Sequence, residues 1–339
     1  MQVINIFRTE LIKREGYLLQ LQSCGLLILL TGLMSIVTYI IAGYIGLLMA
    51  IVLLIYSSVK RFNTSLLSTL RQTRAKLLHP YQFAGLYKLR DALVKKANLT
   101  TAPGLYLMPG SSMNAFALGS KDESGIIFSE AMLRRLNLRE VGGVMAHEIA
   151  HIKNHDLTLM SISDGLWKLT HSLCQLAQLM VLVMLPFWLF GSLQISISSL
   201  LFLFFAPGIA VLIHLALSRT REFEADRVAA ELSGDPQGLV MALKKMDSQN
   251  FNWWNLFIGS YQRIEQNSLS TYLRTHPPTK NRLEKLMKYP SQQGVFWMIL
   301  QNYTTRWPLS ATNLFTSTPS LMGQIFKTLR SHFKDFRRF

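Results

Sequence analysis

The chain has 339 residues, half of them hydrophobic and only 16% charged, with a formal net charge of +16. Soluble domains run nearer a quarter charged, so the balance points to a membrane. The excess Lys and Arg gather on no stacking or base-reading motif, which argues against a nucleic-acid partner.

Residues 1–15 read as a short polar, mildly basic leader. From Gly16 to Val59 there is no Asp, Glu, Lys or Arg, a run of 44 residues. A helix crosses the hydrocarbon core in about 20 apolar residues. The run is therefore too long for one span, and residues 16–59 are expected to fold as a transmembrane hairpin turning near Ile41-Ala42-Gly43-Tyr44. It is also too long for a removable signal peptide, and buried helices of a soluble protein rarely go so far without a charge. Lys13 and Arg14 precede the run, and Lys60, Arg61, Arg71, Arg74 and Lys76 follow it. Basic residues at both outer ends mark them as cytoplasmic.

Residues 60–168 are soluble in character. Phe83, Leu86, Leu89 and Leu93 fall at helical spacing and predict a helix over Pro80–Asn98. Short strands are expected at Gly104–Met108, Asn114–Leu118 and Gly125–Phe128, then helices over Ser129–Leu136 and Leu138–Asn154. Asn137 and Glu140 resemble a capping box for the second of these helices. Leu169 to Ser218 is another uncharged run, of 50 residues, with a break around Gly191-Ser192-Leu193-Gln194. It predicts a second hairpin over 169–218, whose Pro186 and Pro207 a membrane helix tolerates.

From Arg219 the chain is polar again, with a helix through Ala230, a Gly-Asp-Pro turn at 234–236 and a helix near Leu239–Met246. Residues 291–339 form a basic extension. In it Ile325, Leu329, Phe333 and Phe336 at helical spacing, among Lys327, Arg330, Lys334, Arg337 and Arg338, fit a membrane-surface helix or a solvated tail equally. Cys24 and Cys174 both lie in the apolar runs and read as small core residues, not a disulfide.

The sharpest chemical signal is His147-Glu148-Ile149-Ala150-His151. Residues i and i+4 share one helix face, so both imidazoles can reach a single ion. Zinc suits two neutral imidazoles and a carboxylate, with a fourth position open for water. Glu148 can then act as general base, taking a proton from that water and passing it to a leaving amine. Downstream, Arg221-Glu222-Phe223-Glu224-Ala225-Asp226 sets Glu222 and Asp226 four apart on one face. Glu222 can complete the ligand set while Asp226 accepts a ring N–H and fixes the orientation of a ligating histidine. Glu224 is the internal competitor, and a helix covered in ordinary Arg–Glu pairs is the bland alternative. His151 and Glu222 can share an ion only if an even number of crossings separates them, as a hairpin over 169–218 provides.

His147-Glu148-x-x-His151 and Arg221-Glu222-x-x-Ala225-Asp226, with Asn114-Ala115-Phe116-Ala117, Thr275-His276-Pro277-Pro278 and the two hairpins, resemble a known family. These are the integral-membrane zinc peptidases that include the HtpX heat-shock protease and the CAAX-prenyl endopeptidases. The likeness covers roughly residues 16–288, and the length and four spans look like the HtpX branch. It implies one zinc ion bound by His147, His151 and Glu222, with Glu148 as general base and Asp226 supporting a ligand. It also implies quality control of damaged or misassembled membrane proteins, with polypeptide substrates and an inner-membrane location. Independently, the basic long segments and uncharged hairpin turns place the active site on the cytoplasmic face.

The expected fold is thus an α-helical membrane protein of two hairpins (four spans) with a mainly α, α+β zincin-like peptidase domain in two parts, 60–168 and 219–290. Asn114 to Ala117 can be an edge strand pairing with extended substrate, or a plain structural strand. His276, with Arg282 nearby, can stabilise an oxyanion or simply shape its turn. His171 and His214 read as interior polar groups, and His155 as surface. A CAAX-type processing peptidase and an inactive membrane scaffold or chaperone are the competing functions. The first is expected to have more spans, and the second needs no general base.

Overall fold

In the computed structural model of the chain, residues 2–62, 66–119, 123–190, 196–250, 279–291 and 295–303 are described. Helix α1, Gln2–Phe62, carries the first uncharged run. Its backbone leaves helical geometry at Ala42 (φ −140°, ψ 19°) and Gly43 (φ 57°, ψ −141°), inside the expected turn. The positive φ at Gly43 costs a glycine little. Around this break the carbonyl oxygen of Thr38 lies against Gly46, where a Cβ would collide with it. Eight residues of unbroken helix would hold the two about 12 Å apart. Both ends of the uncharged run meet the polar part of the chain. Tyr289 Oη donates to Glu15 Oε2 at 3.1 Å, and Leu66, just beyond Phe62, is buried beside Gly125.

The polar segment that follows contains α2 (Leu66–Thr73), β1 (Lys76–Leu77), α3 (Ala84–Ala97), β2 (Gly104–Met108), β3 (Ala115–Gly119), β4 (Ser124–Ser129), α4 (Glu130–Arg135) and α5 (Leu138–Lys153). The strands form one sheet in the order β1-β2-β4-β3, in which β2 and β4 are parallel and the outer pairs antiparallel. Strand β3 is thus an edge, in register Ala117↔Ile126 with β4. Helix α5 starts at a true capping box. Asn137 Oδ1 accepts the Glu140 N–H at 2.9 Å, and Glu140 Oε2 accepts the Asn137 N–H at 2.8 Å. The helix is buried on nearly every face, so the sequence around its histidines is set by packing on all sides.

Helices α6 (Asp156–Leu189) and α7 (Ile197–Ser233) carry the second uncharged run. Gln178 donates to the Leu203 carbonyl at 3.0 Å and Ser163 Oγ meets His214 Nδ1 at 2.9 Å, so the two helices run antiparallel. Neither helix stops where the charges begin. At 37 residues α7 is about 55 Å long, and both continue from the apolar run into the polar part of the chain. Gly234, at φ 67°, then ends α7, its N–H bonding the Ala230 carbonyl at 2.9 Å, and Pro236 opens α8 (Pro236–Asn250). Two short helices complete the described chain, α9 (Thr279–Leu286) and α10 (Val295–Tyr303). Phe296 of α10 is buried against Gly142 of α5, so the part of the extension just past residue 290 packs on that helix. The break at 191–194, His276, and the basic stretch from Ile325 to Arg338 lie outside the described residues.

Among the described residues three helical stretches are long and apolar enough to cross a membrane: Arg14–Val52, Asp156–Leu189 and Ile197–Ser233. They share a buried apolar seam that includes Leu30, Met34, Val37, Cys174, Ala206 and Ala210. A separate core joins the sheet, α3, α5 and α8 through residues such as Leu89, Phe128, Met145 and Leu239.

Candidate metal centre

Helix α5 presents His147 and His151 one turn apart, their rings edge-to-face at 4.6 Å between centroids. The two Nε2 atoms lie 3.1 Å apart. From α7, Glu222 faces both, with Oε2 3.4 Å from His147 Nε2 and Oε1 3.7 Å from His151 Nε2. Each ring turns its other nitrogen to a carboxylate: His147 Nδ1 is 3.0 Å from Asp226 Oδ1, and His151 Nδ1 is 2.8 Å from Asp156 Oδ2. In the neutral rings those partners hold the proton on Nδ1 and leave lone pairs on Nε2. Two lone pairs and a carboxylate then converge on one point, which is repulsive unless a proton or a metal cation lies between them.

The spacing fits zinc. Tetrahedral bonds of about 2.0–2.1 Å separate ligand atoms by about 3.3 Å, and the three observed separations bracket that value. Electrostatics agree. Burial opposes a charge on His147, but its contacts with Asp226 and Glu222 outweigh burial and push its pKa up to about 10. Burial likewise opposes charge on His151, and Asp156 overcomes it, so that pKa is raised too. The pocket favours positive charge at both rings, which a divalent cation supplies.

Two buried arginines balance the carboxylates. Arg282, only 2% exposed, makes a two-pronged bond to Asp226 at 2.8 and 2.7 Å and lies 3.2 Å from Glu222 Oε2. Burial pushes the Asp226 carboxyl up, but Arg282 wins and holds its pKa below the usual value. Arg221 reaches Asp156 Oδ1 at 2.5 Å. Glu224 points away and is engaged by Arg227 at 2.7 and 2.9 Å.

Glu148 is buried beside the cluster, and its Oε2 accepts the N–H of Ala117 at 2.8 Å. That N–H points away from β4, out of the sheet's edge, so β3 and α5 are locked together at the residue adjoining His147. Ala115, Phe116 and Ala117 are buried on β3, and Asn114, half-buried just before it, donates its N–H to Ser129 Oγ at 2.9 Å. Arg282, paired in sequence with the oxyanion role of His276, instead sits behind the carboxylates. His214 bonds Ser163, Trp167 lies against both His171 and His214, and His155 is exposed. None of these three histidines joins the cluster.

Sequence reasoning missed Asp156, Arg221 and the Ala117 amide. Asp156 had a signal, a lone acid just after the two histidines. It reaches His151 only because His155 takes the left-handed conformation (φ 57°) and turns the chain sharply from α5 into α6.

A buried carboxylate and two imidazoles on α5, facing a glutamate of α7, a helix that runs on into an apolar bundle, suit a membrane metallopeptidase. Residues 80–289 match peptidase family M48, and the chain belongs to that family. It is similar to the protease HtpX homologue of Acaryochloris marina, 35% identical over 286 residues, covering 80% of this chain and 95% of that one. It is also similar to the protease HtpX homologue of Syntrophobacter fumaroxidans, 32% identical over 287 residues, covering 76% and 96%. Among solved structures, Ste24p of S. mikatae superposes over 84% of this chain and 66% of that one, with 18% identity and a TM-score of 0.44. The chain is an integral membrane protease.

Proposed function

We propose that the chain is a zinc-dependent endopeptidase of the bacterial inner membrane, with its site on the cytoplasmic face, acting in quality control of damaged or misassembled membrane proteins. The observation that carries the zinc reading is the convergence of His147 Nε2, His151 Nε2 and the Glu222 carboxylate at tetrahedral separations. The engagement of Glu224 by Arg227 supports Glu222 as the third ligand. When bound, zinc supplies Lewis-acid polarisation and lowers the pKa of water to about 7.

The chain's own residues do the rest. Glu148, one oxygen held by the Ala117 amide, takes the water's proton and delivers it to the leaving amine nitrogen. Asn114 to Ala117 line the sheet edge beside it and offer backbone groups to an extended substrate. His276 would add a donor to the oxyanion. The two uncharged runs make two hairpins, hence four spans. The contact of Thr38 with Gly46 and the return of Glu15 and Leu66, on either side of the run, to the peptidase part support the first. The antiparallel pairing of α6 with α7 supports the second.

The test is Glu148→Gln. It is expected to retain one zinc, since Glu148 is not a ligand, and to lose nearly all hydrolysis of an unfolded membrane substrate. Cleavage at the wild-type rate sinks the general-base role, and a metal-free wild type sinks the zinc reading.

A further inference from the structure

We propose that Asp156 is the positioning residue for His151, that Arg221 holds it there, and that this pair ties the metal centre to the point where the long helices α6 and α7 emerge from the apolar bundle. The inference deepens the zinc reading above and rests on it.

The Asp156 carboxylate divides its two oxygens. Oδ2 faces His151 Nδ1 at 2.8 Å, and Oδ1 accepts from Arg221 Nε and Nη2, each at 2.5 Å. Asp156 is 2% and Arg221 5% exposed, a depth at which an unpaired charge is too costly to persist. An acceptor at Nδ1 fixes the tautomer and twist that aim Nε2 at the metal point. Asp226 does the same for His147 with Arg282 behind it, so each imidazole has its own carboxylate and each carboxylate its own arginine.

The origins of the two carboxylates differ. Asp226 comes from the helix that carries Glu222, whereas Asp156 is the first residue of α6, a helix that contributes no metal ligand. Arg221 is the residue before Glu222 on α7, and its Nη1 also lies 3.5 Å from Ser23 Oγ, a buried group of α1. All three long apolar helices thus meet at one buried cation one carboxylate away from His151. A shift of α6 against α7 moves Asp156 and Arg221 relative to each other and releases the ring.

The test uses the full-length protein in detergent. Zinc affinity is measured by chelator competition, and ligand geometry by the visible absorption of the cobalt(II)-substituted protein. Asp156→Asn is expected to weaken zinc binding about 10–100-fold and to shift the cobalt bands. Arg221→Met moves both readouts in the same direction. Asp235→Asn is the structural control. It breaks the Arg139–Asp235 pair (2.6 and 2.8 Å) that joins α5 to the turn between α7 and α8, away from the imidazoles, and is expected to lower Tm with zinc affinity unchanged.

If Asp156→Asn fails to fold, Asp156→Glu keeps a charge for Arg221 while displacing the carboxylate by one methylene, and weakened zinc binding at an unchanged Tm then supports the role. Wild-type affinity and cobalt bands in the folded Asp156 variant overturn it, as does an equal loss of affinity in Asp235→Asn. A wild-type protein that takes up no zinc overturns the zinc reading and this inference together.

Discussion

At the scale of single residues, the site separates groups that converge on the candidate metal position from groups that only resemble them in sequence. Glu222 and Glu224 are two apart on one helix, yet only Glu222 turns to the imidazoles, while Glu224 is spoken for by Arg227. Glu222→Ala is therefore expected to lower zinc occupancy sharply in metal analysis of the purified protein. Glu224→Ala keeps its zinc, at some loss of stability because a largely buried Arg227 loses its two-pronged partner and keeps only Glu231, at 3.3 Å. Equal zinc retention in the two variants would show that the wrong glutamate was chosen.

The histidines, Glu222 and Asp226 were legible because i, i+4 spacing is a local property of a helix. The Arg282–Asp226 pair was not, since it spans 56 residues and depends on how α9 docks. Asp156 was hidden for a different reason. It lies five residues beyond His151, off the helical repeat, and becomes a partner only through the turn at His155.

At the scale of elements, α5 is the piece on which everything is hung, and its glycines show how tightly it is held. A Cβ on Gly143 would strike the backbone nitrogen of Leu239 on α8, so the two helices approach backbone to side-chain-free backbone. Gly143→Leu cannot be accommodated by a rotamer change, because the obstacle is main chain. Overpacking of this kind costs about 1–3 kcal/mol, and thermal unfolding of the variant is expected several degrees below wild type. An unchanged Tm would mean that α5 and α8 are not in such close contact.

Elements with strong periodicity or end signals were readable. Strand β2 falls on Gly104–Met108 as expected, and the capping box of α5 forms as its sequence implies. Helix α2 and the two-residue strand β1 were not, because so short a strand exists only through its pairing with Leu107 and Tyr106 of β2. The changes of composition at 168–169 and 218–219 mark where charge begins, not where a helix ends, so α6 and α7 run through both without a break.

At the scale of the whole molecule, the open choice is between three crossings and four. A single unbroken α1 of 61 residues would put Glu15 and Leu66 on opposite sides of a bilayer. Yet Glu15 accepts from Tyr289 and Leu66 packs beside Gly125, both in the same peptidase part. The basic residues agree: Arg14 lies before the first uncharged run and Arg71, Arg74 and Lys76 after it, the arrangement expected when both ends face the cytoplasm. Four crossings would place residues 41–44 and 191–194 outside.

Single cysteines at exposed Tyr44 and Lys96, and at Ser192, in a background lacking Cys24 and Cys174, decide the matter. Tyr44→Cys and Ser192→Cys are expected to react with an impermeant maleimide in intact cells, and Lys96→Cys only after the membrane is opened. A single crossing by α1 would leave Tyr44→Cys within the far half of one continuous span and set residues 15 and 96 on opposite sides. Labelling of Lys96→Cys and Ser192→Cys from the same side would undo the second hairpin. The even number of crossings that lets His151 and Glu222 share one ion would then no longer be assured, since no crossing and a single crossing between them would both fit that labelling.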